Sequence, residues 1–207
     1  MTGQTHRQYS ICFAYITTII LFRLGISNIN YYLGLPIVLL TAKSGALFPD
    51  LDHTWANVHD KTMLNKIINV LIHITGGKHR SWQTHSLDIC ALCAFLSVWL
   101  PIKLYDIGKI SIINKEVLFL VLVGFMSGWV SHMFSDMLTS GGVRIFCWWK
   151  FKLKLVPRQL FGLKFNTGNE WEKFNYLTMK KINCILGIIC ITYPIIFNSN
   201  ILSKVTG

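Results

Sequence analysis

The sequence predicts an all-α protein: a polytopic membrane bundle of about five spans, with a short interfacial helix and a small β-ribbon near 150–165. Three observations lead there. Of 207 residues, 52% are hydrophobic and only 14% charged, well below the roughly 25% charged residues of a soluble domain. Apolar stretches close to the 17–25 residues that cross a bilayer as a helix recur along the chain. The polar residues between them are clustered, not dispersed. Length and the absence of an internal repeat fit a single domain over 1–207.

The apolar stretches run over 9–26, 31–48, 86–101, 117–135 and 182–198. Arg23 and Lys43 fall inside the first two, which gives those spans polar ends or protein-facing sides. The first run shows no convincing small-residue cleavage site before Asn28, which argues against a cleavable signal peptide. Leu64, Ile67, Ile68, Leu71, Ile72 and Thr75 recur at helical spacing until Gly76-Gly77 ends the run. That run is too short to span, so it reads as an amphipathic helix lying at the interface. The longest polar segment, 143–181, carries nine Lys or Arg against Glu170 and Glu172. In it K-F-K-L-K-L at 150–155 alternates like a strand, Pro157 interrupts, and L-F-G-L-K-F at 160–165 supplies a returning strand. Trp148 and Trp149 suit an aromatic belt. The segment reads as a lipid-facing basic-aromatic anchor, or alternatively as a flap over an anionic substrate.

Cysteine chemistry adds little. Cys12, Cys90, Cys93, Cys147, Cys184 and Cys190 lie mostly in apolar stretches, and the Cys90/Cys93 C-x-x-C has no second pair. They read as small buried apolar residues, with redox or metal roles as the alternative, and nothing resembles a disulfide framework.

Five of the seven histidines fall in four polar clusters. These are His6; P-D-L-D-H at 49–53; H-R-x-x-x-x-H at 79–85; and H-x-x-x-D at 132–136. With five spans, parity returns all four clusters to one face. That face carries all but five of the twenty Lys and Arg residues, the exceptions being Arg23, Lys103, Lys109, Lys115 and Lys204. Positive residues favour the cytoplasm, so the shared face is expected to be cytoplasmic. A crossing by 64–74 would separate the first two clusters from the last two. The formal charge of +11 suits anionic headgroups or a phosphate-bearing substrate. Nucleic acid is not expected, because the basic residues accompany membrane spans.

Histidine and aspartate are the side chains that bind catalytic transition metals at neutral pH. His132 and Asp136, four apart, share a helix face; an ordinary polar helix end is the competing reading. Thr139, Ser140, Gly141 and Gly142 follow in a turn whose amides suit an anion. Asp50, Asp52 and His53 crowd two carboxylates and an imidazole at a bilayer edge, where they repel unless a cation lies between them; a solvated, capping turn is the alternative. His79 and His85 flank Arg80, whose donor fork suits phosphate or an ion pair with one of the aspartates. Thr84 or Ser86 is the expected cap of the third span, and Asp88 favours its dipole. His59 and His73 read as structural. Glu172 is either a further contributor to this face or an acid offsetting nearby lysines.

The ordered elements Thr5-His6, Gly45 through His53, His79 through Ser86, Ser131 through Gly142, and T-G-N-x-x-E at 167–172 together resemble the YdjM-type family. Its members are bacterial inner-membrane proteins described as metal-dependent hydrolases. The resemblance covers most of the chain and implies a helical membrane protein with a hydrolytic centre. More distantly, H-x-x-x-D at 132–136 looks like the element by which zinc-dependent phospholipases C and zinc nucleases hold several zinc ions. Their later H-x-x-x-E is absent here, so one or two metals are expected instead of three.

The expectation is a membrane-bound, metal-dependent hydrolase at the cytoplasmic face of the bacterial inner membrane. Its metal donors come from His6, Asp50, Asp52, His53, His79, His85, His132 and Asp136. Asp52 is the expected water-orienting carboxylate and Arg80 the phosphate-neutralising cation. The ion is a divalent metal, zinc first, with manganese or iron also suited. A phospholipid or another membrane-near phosphoester is the expected substrate, and the lipid bilayer the expected partner. The rival readings are a metal-ion transporter or channel, and a membrane scaffold binding a cytoplasmic partner through 143–181.

Overall fold

The computed structural model describes residues 1–26, 29–52, 63–76, 82–156, 159–160, 163–164 and 168–197. Five long helices form the bundle: α1 (Gly3–Arg23), α2 (Tyr31–Gly45), α5 (Leu87–Asp106), α6 (Ile112–Met137) and α7 (Glu170–Phe197). Between α2 and α5 lie a 3-10 turn (Pro49–Asp52), α3 (Met63–Ile74) and the single turn α4 (Trp82–His85). Helix α6 is the central element, packed against α1, α2 and α5, while α7 lies on α1.

The burial pattern is that of a membrane bundle. On α5 the buried positions are Cys90, Ser97 and Pro101, whereas Leu92, Phe95, Leu96 and Trp99 are exposed. On α7, Ile185, Ile188 and Ile191 likewise face outward. On these two helices large apolar side chains face outward, as expected where the outer solvent is lipid and close helix approach provides the packing. Among the described residues, four segments are long and apolar enough to cross a membrane: Tyr31–Asp52, Leu87–Asp106, Ile112–Met137 and Glu170–Ile195. Helix α1, the fifth expected span, has the length at 21 residues. Its first turns carry Gln4, His6, Arg7 and Gln8, which lower its apolarity.

The α2–α6 crossing is the tightest in the bundle. A methyl group on Gly45 would overlap the Phe125 carbonyl, and one on Gly128 would overlap the Ala42 carbonyl. Gly124 and Gly128 lie one turn apart on the face that continues to His132 and Asp136. Small residues thus bring the end of α2 against the His132 end of α6. Helix α1 ends in a Schellman arrangement: Ile26 N–H donates to Leu21 and Gly25 N–H to Phe22, with Gly25 at φ 64°.

Helix α3 matches the expected interfacial helix. Its 12 residues reach about 18 Å, short of the roughly 30 Å hydrocarbon core. It packs on the Pro49–Asp52 turn, where Asn69 Nδ2 donates to the Leu51 carbonyl. Ile67, Val70, Leu71 and Ile74 are exposed.

The ribbon differs from its expected register. K-F-K-L-K-L does not pair forward with 160–165. Instead β1 (Val143–Arg144) pairs antiparallel with β2 (Lys152–Leu153), and β3 (Gln159–Leu160) pairs with β4 (Leu163–Lys164). The cause lies in the intervening turn, where Phe146 stacks on Trp148 and on Trp149 at centroid distances of 5.0 and 5.9 Å. That local aromatic stack folds 150–153 back onto its upstream neighbour. Asp88 anchors the hairpin by accepting from the Cys147 N–H at 3.0 Å, a role beyond dipole compensation. Of the expected caps of α5, Ser86 stands at the N-cap position but its Oγ donates to Trp82 O at 2.6 Å, and Thr84 Oγ1 donates to Asp52 Oδ2 at 2.7 Å.

Candidate metal centre

Helix ends that are far apart in sequence meet at one end of the bundle. The start of α1 supplies His6, the turn after α2 supplies Asp50 and Asp52, α4 supplies His85, and the last turns of α6 supply His132 and Asp136. All except Asp50 are essentially fully buried; the Asp50 side chain is 23% exposed.

Asp136 is the hub. Its Oδ1 lies 3.7 Å from His6 Nε2, and its Oδ2 lies 3.5 Å from both His85 Nε2 and His132 Nε2. The Met1 nitrogen is 3.3 Å from Oδ1. Asp50 Oδ1 approaches His132 Nε2 at 3.8 Å. The His6 and His132 rings stack with centroids 3.7 Å apart. Among the described residues, ligand atoms within 4.8 Å of one another form two triads, His6–His132–Asp136 and Asp50–His85–His132, which share His132.

The opposite ring nitrogens fix the tautomers. His132 Nδ1 is 2.6 Å from the Ala46 carbonyl, which only accepts, so Nδ1 carries the proton. Ser135 Oγ donates to the His132 carbonyl at 2.9 Å; it therefore accepts from His6 Nδ1 at 2.6 Å. Thr84 Oγ1 donates to Asp52, so it accepts from His85 Nδ1 at 2.9 Å. Asp52 Oδ2 itself lies 3.3 Å from that nitrogen. In all three rings Nδ1 is committed to an outer partner and Nε2 faces Asp136. His132 Nε2 is buried and makes no hydrogen bond among the described residues. The expected donors thus separate: His6, Asp50, His85, His132 and Asp136 come together, whereas Asp52 stands behind His85. His53, His79 and Arg80 lie outside the described residues.

Burial alone would depress the His85 imidazole, but the Asp136 and Asp52 carboxylates, which accept from its ring N–H groups and attract its charge, outweigh it and raise its pKa to about 9.

Two expected contributors serve other ends. Glu172 accepts from the Thr2 N–H, from Thr5 Oγ1 at 2.9 Å and from the Gly168 N–H at 2.6 Å. It ties the His6-bearing turn of α1 to the start of α7 and is not among the clustered donors. The Gly141 and Gly142 amides, expected to face an anion, bond within their own turn to Thr139 at 3.4 and 3.3 Å. Sequence reasoning missed the Ala46 carbonyl and Ser135. The Gly124-x-x-x-Gly128 run in register with His132 was the available signal for the former.

These features define a polytopic helical membrane protein with a buried His/Asp cluster at one end of its bundle. The family model for the YdjM inner membrane protein matches residues 1–199, and the chain belongs to that family, as the order of its motifs led one to expect. No curated protein and no solved structure matches the chain.

Proposed function

We propose that this protein is a metal-dependent hydrolase that cleaves a phosphoester, such as a phospholipid, at the cytoplasmic face of the inner membrane. One observation carries the reading. Three imidazoles, held from behind through Nδ1, direct three Nε2 atoms at one buried carboxylate. Backing of Nδ1 by a carbonyl, hydroxyl or carboxylate is the usual support of a metal-binding histidine.

The donor chemistry fits a divalent ion, with zinc the first choice and manganese or iron also suited. His6, His85, His132, Asp136 and Asp50 would hold it, and two triads sharing His132 suit one or two ions. A bound ion would supply a water of lowered pKa and charge neutralisation for phosphoryl oxygens. Asp50, the one partly exposed carboxylate of the set, is placed to orient an incoming water and take its proton. Asp52 acts one step back, fixing the ring of His85. Arg80 would neutralise phosphate charge. The Lys and Arg bias toward this end of the bundle supports a cytoplasmic site.

Metal analysis and phosphoesterase assays on the detergent-purified protein test the proposal. Wild type should carry bound metal and lose turnover on chelation. His132→Ala and Asp50→Ala should lose metal and turnover while keeping their helical circular dichroism. Undiminished turnover in folded His132→Ala overturns the assignment.

A further inference from the structure

Beside the His/Asp cluster, α1 and α5 both lie on α6 but make little contact with each other. Between them a cavity of about 230 Å³ is lined wholly by apolar or sulfur-bearing side chains. Its α5 wall runs from Leu87 to Ala94 and its α6 wall from Val130 to Met137. Seven residues of helix rise about 10 Å, so the groove extends about that far along the bundle. Its upper end abuts the centre: Met137 follows Asp136, and Leu87 lies two residues past His85. Its lower end, at Ala94 and Val130, lies within the spans. Its outer lip is open, because Ala91, Val130 and Phe134 are exposed on the lipid-facing surface.

We infer that this groove holds an acyl chain of a membrane lipid whose phosphoester lies at the His/Asp cluster. Three features select that occupant. The lining offers nothing to a polar group. A helix about 10–12 Å across needs more room than this cavity has. A polar centre within one helical turn, along the chain, of the upper end of an apolar slot open sideways to the bilayer matches a headgroup joined to a tail, with the tail never leaving the hydrocarbon. Ala91 and Ala94 keep the slot open where larger residues would close it. The chemistry at the headgroup rests on the hydrolase reading; occupancy of the groove does not.

The test uses the full chain in nanodiscs containing a phospholipid with a photoactivatable diazirine in its acyl chain. Crosslinks should concentrate on peptides covering 87–94 and 130–137 and fall several-fold in Ala91→Leu and Ala94→Phe. Two substitutions of different bulk guard against one that fails to fold. Crosslinks spread evenly over the exposed apolar surface, or unchanged by both substitutions, overturn the groove. A second arm compares turnover of this lipid with that of a soluble phosphoester lacking a tail. The plugged variants should raise KM for the lipid about tenfold, the equivalent of one or two methylenes unburied, and leave the soluble ester unaffected. Equal loss on both substrates also overturns the groove. Concentrated crosslinks in a protein that hydrolyses neither substrate would uphold the groove and remove the hydrolase reading.

Discussion

What stands behind each imidazole differs, and so does the expected consequence of removing it. His132 leans on a backbone carbonyl, His6 on a serine, and His85 on a threonine and a carboxylate. Losing a carboxylate behind a metal-binding histidine generally costs about 10–100-fold in metal affinity. Asp52→Asn should therefore weaken metal binding by about that factor in equilibrium titration, with Ser135→Ala weaker in effect because a water can replace a hydroxyl. The proton on His85 gives a second expectation. Its pKa, raised to about 9, lies above the unfolded value of about 6.5. In metal-depleted protein this group stabilises the fold fully below about pH 6.5, and that contribution is lost as pH rises through about 9. Metal must displace the same proton. Affinity should thus rise from pH 6 to pH 9, and metal addition to lightly buffered protein at pH 7 should release acid. Binding that is flat across this range would count against His85 as a donor.

Among the elements, the α2–α6 crossing sets the geometry of the centre, because the Ala46 carbonyl reaches His132 only if the two helices touch. Gly128→Ala forces a methyl into the Ala42 carbonyl, and overpacking of this kind costs about 1–3 kcal/mol. The variant should show a lower thermal midpoint in detergent together with weaker metal binding. Ala at Gly25, where no atom lies within 4 Å, should strain only the left-handed turn and leave metal binding intact. The helices, the interfacial α3 and the meeting of four clusters were legible because hydropathy and helix periodicity act over many residues at once. The division of labour between Asp50 and Asp52 was not. In a 3-10 turn, with three residues per turn, side chains two apart leave on different sides; one carboxylate faces His132 and the other faces Thr84. The hairpin register was illegible for a similar reason. Alternation in 150–155 marks a strand but not its partner, which the Phe146–Trp148–Trp149 stack selects.

For the whole molecule, the decisive feature is that the clustered imidazoles and aspartates occupy one end of the bundle and not a path through it. A conduit would place donors at successive depths along α6; instead Leu120, Gly124 and Gly128 separate His132 and Asp136 from the next buried carboxylate, Glu116, which lies near the far end of the helix 3.6 Å from Lys115. This arrangement favours a site over a passage, and its sidedness can be tested directly. The turn between α5 and α6 carries the exposed Lys109, and the hairpin beside the centre carries the exposed Lys150. Because the bundle separates these positions and the proposed orientation puts the hairpin in the cytoplasm, a membrane-impermeant maleimide applied to intact cells stripped of their outer membrane should label Lys109→Cys, against a background in which the native cysteines are replaced. Lys150→Cys should react only after permeabilisation. The reverse pattern would turn the centre toward the periplasm without disturbing its internal geometry. It would then move the substrate search to the outer leaflet, while labelling of both positions from one side would contradict the bundle itself.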